Sequence, residues 1–424
     1  MRISTPQAFN NGIAGIQRNY SNAIRTQEQI STGNRILTPA DDPVASVRLL
    51  QLEQQQNVLS QYNSNLTAAK NSLTQEEVTL NSVNTVLQRV RELAVQAGNG
   101  ALSAEDRKSI AAELGEREDE LLSLMNTRNA RGEYLFSGFQ GKTQPFVRSA
   151  DGSYSYQGDE GQRKLQIASS LNIPISDNGK SIFENVTNAG RLESQPVAAF
   201  PAGSTLAVSG PLVSDEVAFS GANGFPANGV QLQFNADGSY DIYELDSNGV
   251  PATVPLTDGS GLKMDDDPSK SDSLVFRGVT LQLDGAAAGG EEVNVTPKLS
   301  GSGEIQQKQG ILDTIASLRS ALEDPSTDNG GVRDAVAVAL TNLDHGMVSV
   351  DQARGNIGAR LNTIETTLTD NEDVALVNKG VQAELRELDY AEALSRLSMQ
   401  TVVLEAAQQS YVKIAGLSLF NVMR

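Results

Sequence analysis

VAVALTNLDHGMVSVDQARGNIGARLNTIETTL, residues 336–368, places Val336, Leu340, Leu343, Met347, Val350, Ile357, Leu361, Ile364 and Leu368 at alternating spacings of four and three, with Arg354 as the one interruption. An α-helix presents the same face about every 3.6 residues, so this spacing predicts a long helix with a continuous apolar seam. A seam needs a second helix to cover it. The first third of the chain supplies one. Leu52, Leu59, Leu66, Leu73, Leu80 and Leu87 recur at every seventh position, and three residues after each stand Gln55, Tyr62, Ala69, Glu76, Val83 and Val90. That second row is mixed, with Gln55 and Glu76 as its polar members. A helix from about Pro43 to about Ala97 would run roughly 80 Å at about 1.5 Å per residue, which suits a rod better than the interior of a globule.

Working outward, Gly98, Asn99 and Gly100 end that helix, and Ser103 opens another with Glu105 and Asp106 in its first turn and Ile110, Leu114, Leu121 and Leu124 on its apolar side. Past Ser300 the helical period returns at Ile311, Ile315, Leu318 and Leu322. Both ends of the chain carry stripes of the same kind. At the front these are Ile13, Ile16, Tyr20, Ala23, Gln27 and Ile30. At the back they are Tyr390, Leu394, Leu397, Thr401, Leu404, Gln408, Tyr411 and Ala415, closing on Leu417, Leu419 and Phe420. Isolated stripes bury too little surface to offset chain entropy, so folding of the two ends is expected to be coupled to assembly.

Between the helical parts the texture changes to short alternating runs broken by Gly, Asn, Asp and Pro. Val230-Gln-Leu-Gln-Phe234, the turn Asn235-Ala-Asp-Gly238 and Ser239-Tyr-Asp-Ile-Tyr243 predict a hairpin, and Leu274–Leu283 and Glu292–Thr296 continue the β pattern. The expected fold class is α+β: an elongated, discontinuous helical bundle or coiled coil built from N- and C-terminal segments, with an inserted mainly-β domain. Residues 1–42 and 381–424 would form a terminal coiled-coil core, 43–140 and 300–380 a helical shell, and 141–299 the β insert.

Composition narrows the function. The formal net charge of −19 over 424 residues opposes binding to a phosphate backbone, so no nucleic acid is expected as a partner. No run approaches the roughly 18 apolar residues needed to span a bilayer, and Met1–Asn11 has neither the basic nor the apolar part of a cleavable signal peptide. Cysteine is absent, which removes disulfides, thiolate nucleophiles and cysteine-based metal sites. His345 is the only histidine, and no phosphate-binding loop or nucleophile elbow occurs. Asp265-Asp-Asp267 lacks the alternate spacing of a calcium loop and reads as a solvated turn. No catalytic residue, metal or cofactor is therefore assigned, and the protein reads as structural rather than enzymatic.

Gln29-Ile-Ser-Thr-Gly-Asn-Arg-Ile-Leu-Thr-Pro-Ala-Asp-Asp-Pro-Val-Ala-Ser46 resembles the amino-terminal signature of the flagellin family. Within it, Leu37-Thr-Pro-Ala-Asp-Asp-Pro43 is closer to members at the junction of hook and filament than to filament flagellins, which have Asn-Ser-Ala-Lys-Asp-Asp-Ala there. Gly132-Glu-Tyr-Leu-Phe-Ser-Gly-Phe139 and the carboxy-terminal Leu417–Met423 agree, whereas residues 194–300 resemble nothing in the family. The resemblance implies a subunit exported through the flagellar secretion apparatus and assembled outside the cell. It further implies contacts with the first hook–filament junction protein, with flagellin and with copies of itself in a ring, and an export chaperone on the C-terminal helix. The assembly interface is expected on the terminal stripes, with Asp41 and Asp42 capping the helix after Pro39 and Arg35 a candidate for contacts between subunits. Two rival readings share the same ends: a filament flagellin, and a stalked adhesin whose β domain binds a ligand.

Overall fold

A computed structural model describes residues 5–265, 267, 270–299 and 303–422, with side chains undescribed at 5, 6, 8 and 415–422. The chain divides into two compact units, one formed by Met1–Leu66, Ile167–Ser169 and Glu365–Arg424 and the other by Thr67–Gln166 and Ser170–Ile364. Helices α1 (Thr5–Thr32), α2 (Pro43–Ala97) and α3 (Ala104–Met125) open the chain.

In the second unit the predicted seams are the core. Leu73, Leu80, Val83, Leu87 and Val90 of α2 are fully buried. A late helix running Asn329–Arg386 buries Val336, Leu343, Val350, Ile357 and Ile364 at heptad spacing. The two run antiparallel: Arg91 is ion-paired to Asp344 at 2.8 Å, and Asn84 donates to Asp351 at 3.5 Å. Ser103 and Asp106 close a reciprocal capping box on α3, as the sequence predicts. Four short strands follow as two hairpins, β1 (Phe146–Arg148) with β2 (Tyr154–Tyr156) and β3 (Lys164–Gln166) with β4 (Asn172–Pro174). They close over an aromatic cluster in which Phe136 meets Phe183 edge-on at 5.1 Å and Phe146 meets Tyr156 at 5.3 Å.

The remaining strands are β5 (Leu192–Pro196), β6 (Ala207–Val208), β7 (Leu212–Val213), β8 (Val230–Phe234), β9 (Ser239–Glu244), β10 (Leu262–Lys263), β11 (Asp272–Phe276), β12 (Val279–Asp284) and β13 (Glu292–Pro297). One sheet has the order β10-β9-β8-β13-β5; the other runs β11-β12-β6, with β7 also on β12. Alternate residues of both, among them Leu232, Ile242, Val295, Val279 and Leu283, share one buried core, so the two sheets pack as a sandwich. The β8–β9 hairpin has the predicted extent and turn, with Phe234 opposite Tyr240. Between β7 and β8 lies α4 (Glu216–Ser220), a single turn capped by Asp215.

Leu274–Leu283 is not one continuous run but a hairpin turning at Arg277 and Gly278, both at positive φ (46° and 81°), as a type I′ turn demands. Its arginine escapes the usual Asn-Gly signal because two hydrogen bonds to Asp258, each 2.8 Å, hold it there. A Cβ at Gly278 would stand 2.3 Å from the Asp215 carbonyl oxygen. Gly278→Ala is therefore expected to cost about 2 kcal/mol or more in denaturant unfolding, and an unchanged midpoint would contradict this turn.

The chain is completed by α5 (Ile311–Glu323), α6 (Asn329–Arg386, the late helix above) and α7 (Tyr390–Val422). Helix α5 lies against α3, where Ile315, Leu318 and Leu322 meet Ile110, Leu114 and Leu121 as buried residues. Glu118 is buried among them and accepts from Arg319 at 2.9 Å and from the Tyr154 hydroxyl at 2.5 Å.

Candidate assembly surface

In the first unit α1 packs on α7, antiparallel, with the Phe9 and Tyr411 rings 5.0 Å apart at one end and Gly33 close to the Tyr390 hydroxyl at the other. Ile13, Ile16, Ile30, Leu397, Leu404 and Tyr411 are half-buried on this seam. The predicted stripes are partly out of phase with it. Tyr20 and Leu394 are exposed (56% and 55%), as are Gln27, Thr401 and Gln408, while Thr26, Gln29 and Ala393 are buried and Gln400 and Ala407 half-buried in their place. Small and amide side chains let the two backbones approach, whereas a search for large apolar residues passes over them. The side chains of Leu417, Leu419 and Phe420 lie outside the described residues.

The signature stretch ties the turn between α1 and α2 to the turn between α6 and α7. Gly33, at φ 71°, ends α1, and its carbonyl accepts from the Leu388 N–H at 3.0 Å. The Arg35 N–H donates to the Arg386 carbonyl at 2.8 Å, and its guanidinium donates to the Leu385 carbonyl at 3.0 Å and to Asp42 at 3.4 Å. Asp41 accepts from the backbone N–H of Leu37 and Thr38 at 2.9 and 3.0 Å, from the Thr38 hydroxyl at 2.9 Å, and is ion-paired with Arg25. Asp42 caps α2 through the Ala45 N–H at 3.0 Å, and Pro43 takes the first helical position, where no N–H is needed. Arg35, Asp41 and Asp42 thus direct these bonds within the chain; Asp42 has the capping role read from the sequence, whereas Asp41 closes the turn at Leu37 and Thr38 and does not cap the helix. Asp389, which the sequence reading did not single out, caps α7 in the same way through the Ala391 and Glu392 N–H groups.

Much of what the pairing leaves uncovered is apolar. Among the described side chains of α7, the side facing α1 is covered, while Met399 (68% exposed), Val402 (60%), Val403, Val412 and Ile414 are exposed elsewhere on it, interspersed with Glu392, Arg396, Glu405 and Lys413. Large apolar side chains exposed in such number on one helix mark a surface for a partner. Tyr20 and Ile24 of α1, Val44, Val47 and Leu50 of α2, and Val374, Leu376 and Val377 of α6 extend the same surface chemistry within this unit. Its residues hold ten basic and thirteen acidic side chains, a net −3, so most of the chain's −19 belongs to the other unit. Near-neutrality lowers the repulsion between copies of an acidic protein brought side by side.

Among the described residues, no group of three or more His, Asp or Glu side chains is placed to hold a metal ion, and no helix is long and apolar enough to cross a membrane. His345 is half-buried, its Nδ1 2.9 Å from the Thr187 carbonyl oxygen, in a structural contact.

The chain matches the bacterial flagellin N-terminal helical region over residues 3–141. Flagellar hook-associated protein 3 of Salmonella typhimurium is 24% identical over 424 residues, the whole of both chains. The protein of the same name from Escherichia coli is 35% identical over 188 residues, 44% of this chain and 58% of that one. Among solved structures, flagellar hook-associated protein 3 of Legionella pneumophila superposes with a TM-score of 0.64 at 26% identity, covering 79% of this chain and 98% of the other.

Proposed function

We propose that the chain is a subunit of the flagellar hook-associated protein 3 type, with the amino-terminal region it has in common with flagellin, and that its two ends build it into the flagellum. It is a structural component at the junction between hook and filament. The observation that carries the assembly mechanism is the row of exposed apolar residues on α7, Met399, Val402, Val403, Val412 and Ile414, on a helix covered by α1 on its other side. In this reading the outward faces of α1 and α7 are buried by neighbouring subunits, and that burial drives addition of each copy without any bond being made or broken. The terminal segments 1–42 and 381–424 act as the innermost coiled coil, 43–140 and 300–380 as the shell around it, and 141–299 as the outer domain.

The partners follow from position. The first junction protein lies on the hook side, flagellin on the filament side, and further copies beside it in a ring. Before assembly the same apolar α7 needs a cover, which suits an export chaperone bound to the C-terminal helix and release through the flagellar secretion apparatus to the cell exterior. Deleting the gene and imaging the cells by electron microscopy tests the proposal. Bare hooks with flagellin shed into the medium, corrected by the wild-type gene, are expected. Intact filaments of normal length would overturn it.

A further inference from the structure

The seam of α6 changes chemistry along its length without changing its period. Val336, Leu343, Val350, Ile357 and Ile364 are followed at the same seven-residue interval by Asn371 and Asn378, 8% and 7% exposed. Both asparagines lie in the first unit and face α2. Asn371 Nδ2 donates to Asn63 Oδ1 at 3.0 Å, and Asn378 Nδ2 donates to Gln55 Oε1 at 3.4 Å. Gln56 and Gln382 add a buried amide oxygen and a buried amide nitrogen that have no partner among the described residues. Apolar side chains would make this stretch of seam more stable.

The outward faces of the same two segments are the reverse. Val44, Val47, Leu50 and Val58 on α2 and Val374, Leu376 and Val377 on α6 are exposed. Between Pro43 and Ala69 the only charged side chains are Arg48 and Glu53, so charge does not choose the partner of α2 here. The α6 segment carries charges, among them Asp370, Glu372, Asp373 and Lys379, but α2 has almost none to answer them, so an apolar seam inside would leave the choice of partner and register weakly specified. Asn371 and Asn378 are the buried members of these pairs, with Asn63 half-buried and Gln55 exposed, and a buried amide left without a partner is destabilising, so the alignment that gives each asparagine its partner is favoured. Single polar residues at seam positions fix register and partner in coiled coils at the expense of stability.

We propose that Asn371 and Asn378, with Asn63 and Gln55, are specificity-determining residues that make α2 and α6 of one chain select each other in one register. The apolar faces are thereby kept outward for other subunits. The selection operates in the free subunit and does not depend on where in the flagellum the protein sits.

The test uses purified full-length protein. Asn63→Leu/Asn371→Leu replaces one amide pair by an apolar pair and leaves no buried amide orphaned. It is expected to unfold at the same or higher denaturant concentration than the wild type, yet to self-associate at least about tenfold more strongly by sedimentation equilibrium. Spin labels at Ser60→Cys and Lys379→Cys, both at exposed positions in a chain without cysteine, read the register directly. One narrow distance distribution is expected in the native background and a broadened or second one in the Leu/Leu background. Asn371→Leu alone removes the Asn371–Asn63 hydrogen bond and sets a leucine against a polar side chain, and is expected to lower stability. A Leu/Leu variant that keeps the wild-type association constant and the single narrow distance overturns the proposal. So does an Asn371→Leu variant as stable as the wild type, because the amide pair would then not be setting the seam.

Discussion

Val402→Lys is expected to abolish incorporation of the protein into flagella and with it swimming, while the purified subunit unfolds within about 0.5 kcal/mol of the wild type, as befits an exposed position. The side chain is on the opposite side of α7 from Ala393, which is fully buried, and the α1–α7 seam does not use it. In a free subunit a lysine there meets water. In an assembly that covers α7 on every side, each copy would bury an unpaired ammonium, a cost of several kcal/mol that recurs at every subunit. Val254→Lys, at an equally exposed valine in the β insert, serves as the control and is expected to leave swimming intact. Equal loss from both variants would mean that the effect is not specific to α7; equal indifference would remove α7 from the interface.

The second large effect concerns Glu76, a seam residue of α2 that is 1% exposed. Its Oε1 accepts from the Asp177 N–H at 3.1 Å, while the Asp177 carboxylate is held by two 3.0 Å hydrogen bonds from Arg360 and one of 2.7 Å from Gln162. Burial first, and then the neighbouring Asp177 charge, push the Glu76 carboxyl up to about 8, with Arg360 and Arg163 opposing. Folding therefore favours the protonated form. Its contribution to stability is complete below the ordinary glutamate range, near pH 4.5, and is lost as the pH rises toward about 8. Glu76→Gln, which copies the shape of the protonated side chain and cannot ionise, should match the wild type at pH 4.5 and exceed it by a few kcal/mol at pH 8.5, since each tenfold change in proton affinity is worth about 1.4 kcal/mol. Other displaced carboxyls, such as Glu184 and Asp313, titrate identically in both proteins and cancel in the difference. A stability difference that does not change with pH would mean that Glu76 is ionised in the folded core.

The helical seams were legible because packing in the second unit obeys one rule: large aliphatic residues at three and four spacings are the ones buried. Every alternate member of the α6 series, Val336, Leu343, Val350, Ile357 and Ile364, is in the core. At the ends the rule fails by one position. Tyr20 and Leu394 satisfy it and are exposed, while Thr26 and Ala393 do not and are buried. The reason is that a search for large apolar residues finds the surface with the most apolar area, and in α7 that surface is not the one turned to its own chain. Glu76 reads in sequence as a flaw in a leucine heptad. Only the fold brings Asp177, Arg163 and Arg360 to it from distant positions. Arg277 reads as the middle of a strand because the contact that stabilises its positive φ, Asp258, lies nineteen residues away. The signature from Gln29 to Ser46 was legible as caps and a turn, but its bonding to Arg386 and Leu388 belongs to tertiary structure.

In the assembly proposed above, the outward apolar face of the terminal helices becomes covered when the protein takes its place in the flagellum. Because the chain has no cysteine, Val402→Cys is a unique label, and Val254→Cys is its counterpart in the insert. Maleimide labelling is measured for each, on purified subunits and on isolated hook–filament structures that retain the protein. The predicted result is rapid labelling of both cysteines in the subunit, followed in the assembly by protection of the Val402→Cys thiol and continued labelling of the Val254→Cys thiol. A Val402→Cys thiol that labels as fast in the assembled structure as in the free subunit would contradict the account.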